Sequence, residues 1–341
     1  MQIRTPLVAL AVSGGLATLL AGAPAAAQTD INFTLDWAYQ GPTSAIIAAE
    51  ALGYFEEEGL SVKIDSGNGS AGAVTRVASG AYQMGFADIN ALVEFTVQNP
   101  DQEVKAVFMV YDAPPFGLYT LKSSGIETPE DLVGRTLGGP VFDASYKLFP
   151  AFAAEVGIDE TAVPRVNMDP PLREAMLIQG EVDVISGHYF SSMLDLQSRG
   201  VAEEDIVYML YADHGMDFYG NAVIASGSFI EDHPDAIAGF NRAVAKALQY
   251  IIENREEAVA MVAEYDPLID QELEVKRLGL AIDINIDTDY TRANGFGGVD
   301  DERLANSITQ LSTALGLENP PTAEDIWTDE FLPDAELRQL P

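Results

Sequence analysis

No cysteine occurs in the 341 residues. That excludes disulfides, thiolate zinc sites, iron–sulfur clusters and every cysteine nucleophile. Histidine is nearly as scarce: His188, His214 and His233 are too scattered to predict a metal site. Cations are few as well, with 18 Lys and Arg against 53 Asp and Glu, a formal charge of −35. Nucleic acid needs a basic footprint, so it is excluded as a partner, and an anionic membrane surface is an equally poor one. No G-x-x-x-x-G-K-[ST], G-x-S-x-G or H-E-x-x-H is present, which removes the P-loop, the nucleophile elbow and the zinc-protease helix. Gly67-x-Gly69-x-x-Gly72 fits a dinucleotide fingerprint only in form, because it follows the second predicted strand rather than the first.

What is present is a large apolar fraction, 48%, enough for a sizeable core despite the charge. The length suggests two lobes, since one core rarely grows past about 250–300 residues. Residues 1–27 carry one basic residue, Arg4, an apolar stretch from Leu7 to Ala23 and an Ala25-Ala26-Ala27 ending. They are expected to be a secretory signal peptide cleaved after Ala27, giving an exported chain without direct membrane insertion.

Beyond it, strands and helices alternate. Ile31–Trp37, Leu60–Ile64, Met84–Ala87 and Val104–Val110 read as strands with helices between them, which implies a parallel sheet. The texture changes at Pro114-Pro115, and a second alternating run follows: strands Leu118–Leu121, Arg135–Gly138, Arg165–Met168, Val182–Ser186 and Ile206–Tyr211, with a helix over Ser145–Val156. Phe218–Ser226 reads as one more strand. From Pro234, Ile237, Phe240, Val244, Leu248 and Ile251 form one helical stripe. The last twenty residues read as an extended, docked tail. The expected domains are 28–112 and 224–341 together as lobe I, and 113–223 as lobe II. Gly80 to Asp88 and Gly180 to His188 echo each other: a helix-ending Gly, a short apolar strand, then a polar group eight residues on. That group would sit at the carboxyl end of a parallel strand, where open α/β sheets bind ligands.

Aromatic and small polar residues gather at such strand ends. The candidate ligand-binding residues are Trp37, Tyr39, Ser70, Asp88, Asn90, Tyr111, Phe142, Asp143, His188, Tyr189, Asp217 and Tyr219. Nothing nominates a general acid and base, so no catalytic residue, metal or cofactor is expected.

Leu35-Asp36-Trp37, Tyr54-Phe55-Glu56-Glu57-Glu58-Gly59-Leu60, Gly80–Phe86, Gly180-Glu181-Val182-Asp183 and Asp325–Leu332 resemble periplasmic solute-binding proteins. The likeness is to the sulfonate, nitrate and thiamine-pyrimidine-precursor group that serves ATP-driven (ABC) importers, and it spans nearly the whole chain after residue 27. It implies a two-lobed α/β fold of type II, with crossings near Tyr111–Tyr119 and Asp217–Ala225. It also implies a monomer in the periplasm that captures a small solute and hands it to a membrane permease. The Leu-Asp-Trp opening leans toward a planar, nitrogen-bearing aminopyrimidine. Trp37, Tyr189 and Tyr219 would stack on it, and Asp88, Asp143 and Asp217 would accept its N–H groups. Taurine, another sulfonate or nitrate is the alternative, and Arg76 and Arg173 read as too distant to favour it. A related eukaryotic branch makes the pyrimidine with a Cys-rich motif and pyridoxal phosphate; this chain has no Cys. A secreted enzyme with an unrecognised site is the rival of another class.

Overall fold

In the computed structural model, which describes residues 1–3 and 28–341, the apolar segments form strands β1 Thr29–Thr34, β2 Leu60–Asp65, β3 Met84–Asp88, β4 Val104–Met109, β5 Phe116–Leu121, β6 Leu137–Gly139, β7 Arg165–Asn167, β8 Val184–His188, β9 Ile206–Leu210 and β10 Asn221–Ser226. The signal-peptide expectation rests on residues 4–27, which lie outside the described residues. The strands build two sheets, ordered β2-β1-β3-β10-β4 and β7-β6-β8-β5-β9.

Neither sheet is wholly parallel. β10 runs antiparallel to β3 and β4, and β5 runs antiparallel to β8 and β9. These are the strands that arrive directly from the other sheet. Without an intervening helix to carry the chain back to its starting end, such a strand runs the opposite way. The two crossings are residues 110–115 and 211–220, so the later parts of the expected crossings belong to β5 and β10. They are tied together: Gly220 N donates to Tyr111 O at 2.9 Å, and Tyr111 N to Asn221 O at 2.9 Å.

The sequence echo has a structural counterpart. Gly80 and Gly180 end the helices Ser70–Ala78 and Arg173–Gln179 with φ of 75° and 73°, a conformation glycine adopts without penalty. β3 and β8 then hold the same place in their sheets. Asp88 and His188 each precede a helix N-terminus, Ile89–Gln98 and Tyr189–Ser198.

The helix Pro234–Glu253 buries its stripe completely, with Phe240 stacked on Phe33 of β1 at 5.2 Å and on Phe55 at 4.7 Å. Each such side chain stabilises the fold by on the order of 1.5–3 kcal/mol. The helix expected over Ser145–Val156 is two, Ala144–Lys147 and Phe149–Val156, because Pro150 has no N–H to continue the first. The tail is docked but not wholly extended: Ala323–Ile326 is a helical turn opened by Thr322 and Asp325, after which Trp327 bridges Ala106. Among the described residues no helix is long and apolar enough to cross a membrane.

Candidate functional site

The carboxyl ends of both sheets face one narrow cleft, whose free volume is only about 30 Å³. The first sheet supplies Asp36 and Trp37 from the loop after β1, Ser70 at a helix start, Phe86 of β3, Tyr111 of the first crossing and Asn221 of β10. The second supplies Asp143, Arg173, His188 and Phe190. Gly67 and Gly69 are explained by close approach rather than by a nucleotide. A Cβ on Gly67 would run into the carbonyl of Leu35. One on Gly69, whose φ is 141°, would run into the carbonyl of Phe142 from the other lobe. The lobes therefore touch across the cleft. Farther along the interface Lys147 Nζ pairs with Glu94 Oε2 at 2.6 Å.

Asp36 is the polar centre. Its Oδ2 accepts from Asn221 Nδ2 at 2.7 Å and from Ser70 Oγ at 3.0 Å. Burial pushes its carboxyl up to about 6, and those two hydrogen bonds oppose the rise. Ser70 Oγ also accepts from Asp88 N at 3.1 Å, which fixes the hydroxyl proton on Asp36. Arg173 is buried; its Nε donates to Glu174 Oε1 at 2.8 Å and its guanidinium lies 5.9 Å from the Trp37 ring centre. Burial, together with the Arg173 charge, pushes His188 down to about 3, so its imidazole is neutral. Asp143 caps the helix behind it through Tyr146 N at 3.1 Å, and burial raises its pKa against the pull of Arg173. Asn221 Oδ1 and His188 Nε2 are buried and lack a partner among the described residues. A buried polar atom without a partner is costly, so these two are available to a bound molecule. The aromatic walls are packed edge on: Tyr111 against Phe86 at 5.4 Å and against Phe190 at 5.9 Å.

Of the residues nominated from sequence, Trp37, Ser70, Tyr111, Asp143 and His188 line this cleft. Phe142 stands at its rim, half exposed, with its backbone against Gly69. Asp88 and Asn90 are buried behind it. Asp88 Oδ1 accepts from Asn90 Nδ2 at 2.8 Å, and Oδ2 is unpartnered beside a small cavity that Lys147 and Glu94 also line. Tyr39 is turned away, packed against Tyr265 with ring centres 5.2 Å apart and its hydroxyl on Ile64 O. Tyr189 packs on Tyr208 at 5.3 Å. Asp217 and Tyr219 are engaged by Arg303. The expectation that no cation reaches the site is corrected: Arg173, read as distant, is in the wall, because its helix follows Pro170-Pro171 and opens onto the cleft. Asp36, Phe190 and Asn221 were not nominated. Asp36 carried a legible signal, an acid at a strand end beside Trp37; Asn221, inside a predicted strand, carried none.

Asp88 makes a testable contribution to stability. Burial pushes its pKa up to about 8 from 3.8, so folding takes up a proton between those values. The stability tied to this group is full below pH 4 and is lost as pH rises toward 8. Asp36 changes charge mainly below pH 6 and His188 below 6.5, so at pH 6.5–8 the Asp88 share is read as the difference from Asp88→Asn, with Asp143 and Glu274, also raised by burial, common to both proteins. There the wild type is expected to lose up to about 1.4 kcal/mol per pH unit. Asp88→Asn, which keeps the cap oxygen, flattens that slope in urea unfolding. Parallel slopes for the two proteins would refute the assignment.

Residues 42–258 match the family model described as NMT1/THI5 like. A formylaminopyrimidine-binding protein of Halalkalibacterium halodurans is 27% identical over 306 residues, covering 87% of this chain and 89% of that protein. A 4-amino-5-hydroxymethyl-2-methylpyrimidine phosphate synthase of Legionella pneumophila is 23% identical over 279 residues, covering 78% and 85%. Among solved structures, the alkanesulfonate-binding protein SsuA from Xanthomonas axonopodis pv. citri, bound to MOPS, matches with a TM-score of 0.68 at 13% identity, over 89% of this chain and 98% of that one. The shared architecture is the two-lobed fold of periplasmic binding proteins.

Proposed function

Because the chain belongs to the NMT1/THI5-like family, we propose that it is the periplasmic solute-binding component of an ABC importer and that it captures a small, planar, nitrogen-bearing solute of the aminopyrimidine class. The observation that carries the ligand class is Asp36. Its carboxylate, steered by Ser70 and Asn221, lies among Trp37, Tyr111 and Phe190 with the free Oδ1 of Asn221 beside it. Two adjacent acceptors between aromatic walls suit a flat ring edge bearing N–H groups. Arg173 would take an acceptor atom at the other end of the solute.

Arg173 also supports a second reading, in which the solute is a sulfonate or another anion. Local charge weighs against it. Glu174 already takes Arg173, and Asp36 and Asp143 add negative charge to the same enclosed space. An anion entering there meets net repulsion in a medium that screens little. Binding rather than catalysis is favoured because the resemblance gives a Cys-rich motif to the eukaryotic branch that makes the pyrimidine, and this chain has no Cys.

The lobes we assign are 28–112 with 224–341, and 113–223. The sheet order supports them, with one refinement. β10 pairs with the first sheet from Asn221 onward, which moves the second boundary to about 220. Opening and closing would be hinge motions of the two crossings, and the closed state would be presented to the permease.

A thermal-shift screen of the processed protein tests the reading. An aminopyrimidine at 100 times its dissociation constant should add about 2.7 kcal/mol of stability, while taurine and nitrate leave the melting point unchanged. Stabilisation by the anions with the pyrimidines inert would overturn the ligand class. Conversion of a bound pyrimidine seen by mass spectrometry would overturn the assignment as a binder.

A further inference from the structure

Asp217 and Tyr219, which read from the sequence as ligand contacts, belong to a cluster outside the cleft. Its centre is Arg303, in the helix Asp301–Leu315. The guanidinium lies 4.0 Å from the Tyr219 ring centre. Nη1 donates to Asp112 Oδ1 at 3.0 Å, Nη2 donates to both Asp112 O and Phe218 O at 2.8 Å, and Nε reaches Asp217 Oδ1 at 2.9 Å. Asp112 lies in the first crossing; Asp217, Phe218 and Tyr219 lie in the second. The neighbouring C-terminal residues take hold of the same segments. Ser307 Oγ lies 3.1 Å from Asp217 O and 2.8 Å from Arg303 O, its one hydrogen shared between them, while Asp300 N donates to the Tyr219 hydroxyl at 2.6 Å and Asn285 Nδ2 to Ala113 O at 3.0 Å.

Hinge motion in a two-lobed protein is a change of backbone angles in a few residues of its crossings. A guanidinium is a rigid planar fork, so it fixes the distance between groups that share it. Here one nitrogen holds a carbonyl from each crossing. A relative twist of the crossings must lengthen at least one of those bonds. The Asp112 contact is enclosed, whereas the Asp217 side chain is 81% exposed and that pair contributes little. None of these groups lines the cleft, yet Tyr111 and Asn221, which do, are one and two residues away from them along the chain.

We propose that Arg303 is a hinge clasp: it holds the two crossings at the separation of the touching lobes, sets the closed fraction of the protein, and so tunes ligand affinity without contacting ligand. The affinity part rests on the solute-binding reading; the conformational part does not.

The test uses Arg303→Lys and Arg303→Gln in the full chain after export. Lys keeps a charge near Asp112, but its Nζ ends one bond short of the Nη2 position that holds both carbonyls. Circular dichroism first establishes folding; if the Gln variant does not fold, Lys and Ser307→Ala still decide. Small-angle X-ray scattering without ligand should show a larger radius of gyration than wild type. Calorimetry with 4-amino-5-hydroxymethyl-2-methylpyrimidine as probe should show affinity lowered about three- to tenfold, because apparent affinity scales with the competent fraction. Saturating probe should restore the wild-type radius. Asp217→Asn, at the exposed contact, should change neither reading. An unchanged or smaller ligand-free radius in a folded Arg303→Lys protein overturns the clasp, including when its affinity falls. If the probe fails to bind the wild type, the pyrimidine reading fails, while the ligand-free scattering still decides the clasp.

Discussion

Asp36→Ala is expected to weaken capture of an aminopyrimidine by about 100-fold or more while leaving the fold intact. A hydrogen bond to a charged group contributes on the order of 1.5–3 kcal/mol, and each 1.4 kcal/mol is tenfold. A ring edge with two N–H groups would lose the bond to this charged acceptor, and the second, to Asn221 Oδ1, would lose the carboxylate that orients its amide. The truncation also leaves Asn221 Nδ2 and Ser70 Oγ without the oxygen that orients them. Asp36→Asn separates binding from stability. Burial raises this carboxyl to about 6 from 3.8, so its charge costs the folded state up to about 3 kcal/mol above pH 6. The Asn variant should therefore melt higher at pH 7 and bind worse. Wild-type affinity should itself fall as pH drops through about 6, since the protonated carboxyl accepts less well. Calorimetry across pH 5–8 reads all three. Unchanged affinity in Asp36→Ala would remove the carboxylate from the ligand model.

The architecture was largely legible because periodicity and punctuation report backbone geometry directly. The stripe from Ile237 to Ile251 is a helical face, and Gly80 and Gly180 stop helices in the left-handed conformation. The antiparallel insertion of β5 and β10 was not legible. It depends on where the chain passes from one sheet to the other, and a strand's direction leaves no mark in its composition. The site divided along the same line. Trp37, Ser70 and His188 are found by the rule that ligands lie at strand carboxyl ends. The same rule misplaces Asp88. That residue is also at a strand end, but its carboxylate turns back to cap its own helix through Asn90 N. Tyr39 and Tyr189 illustrate a second loss. A loop aromatic can face either way, and here each pairs with another Tyr, Tyr265 and Tyr208. Arg173 is the reverse case. A lone Arg on an amphipathic helix reads as solvent-facing, yet Glu174 beside it makes burial tolerable. Charge pairing of this kind appears only when the partners are placed in space.

The chain's two tryptophans should give opposite phenotypes when replaced by Ala. Trp37 is half buried in the cleft wall, between the first lobe and Arg173 of the second. Its loss should weaken ligand binding by 1–3 kcal/mol, about ten- to 100-fold, by analogy with bases stacked on aromatic side chains. Less stability should be lost than at Trp327, because part of its surface remains in water. Trp327 lies far along the chain in the docked tail, 7% exposed, bridging to Ala106 of β4, with its backbone N–H on Ala323 O at 2.9 Å. Truncating it should cost about 3–5 kcal/mol of stability through the cavity left beneath the first sheet. Affinity measured well below its melting point should stay at the wild-type value, because no part of Trp327 lines the cleft. Chemical unfolding and calorimetry on both variants give four numbers. A Trp37 variant that binds like wild type would sink the stacking model, and a Trp327 variant that unfolds like wild type would sink the account of the tail as part of the core.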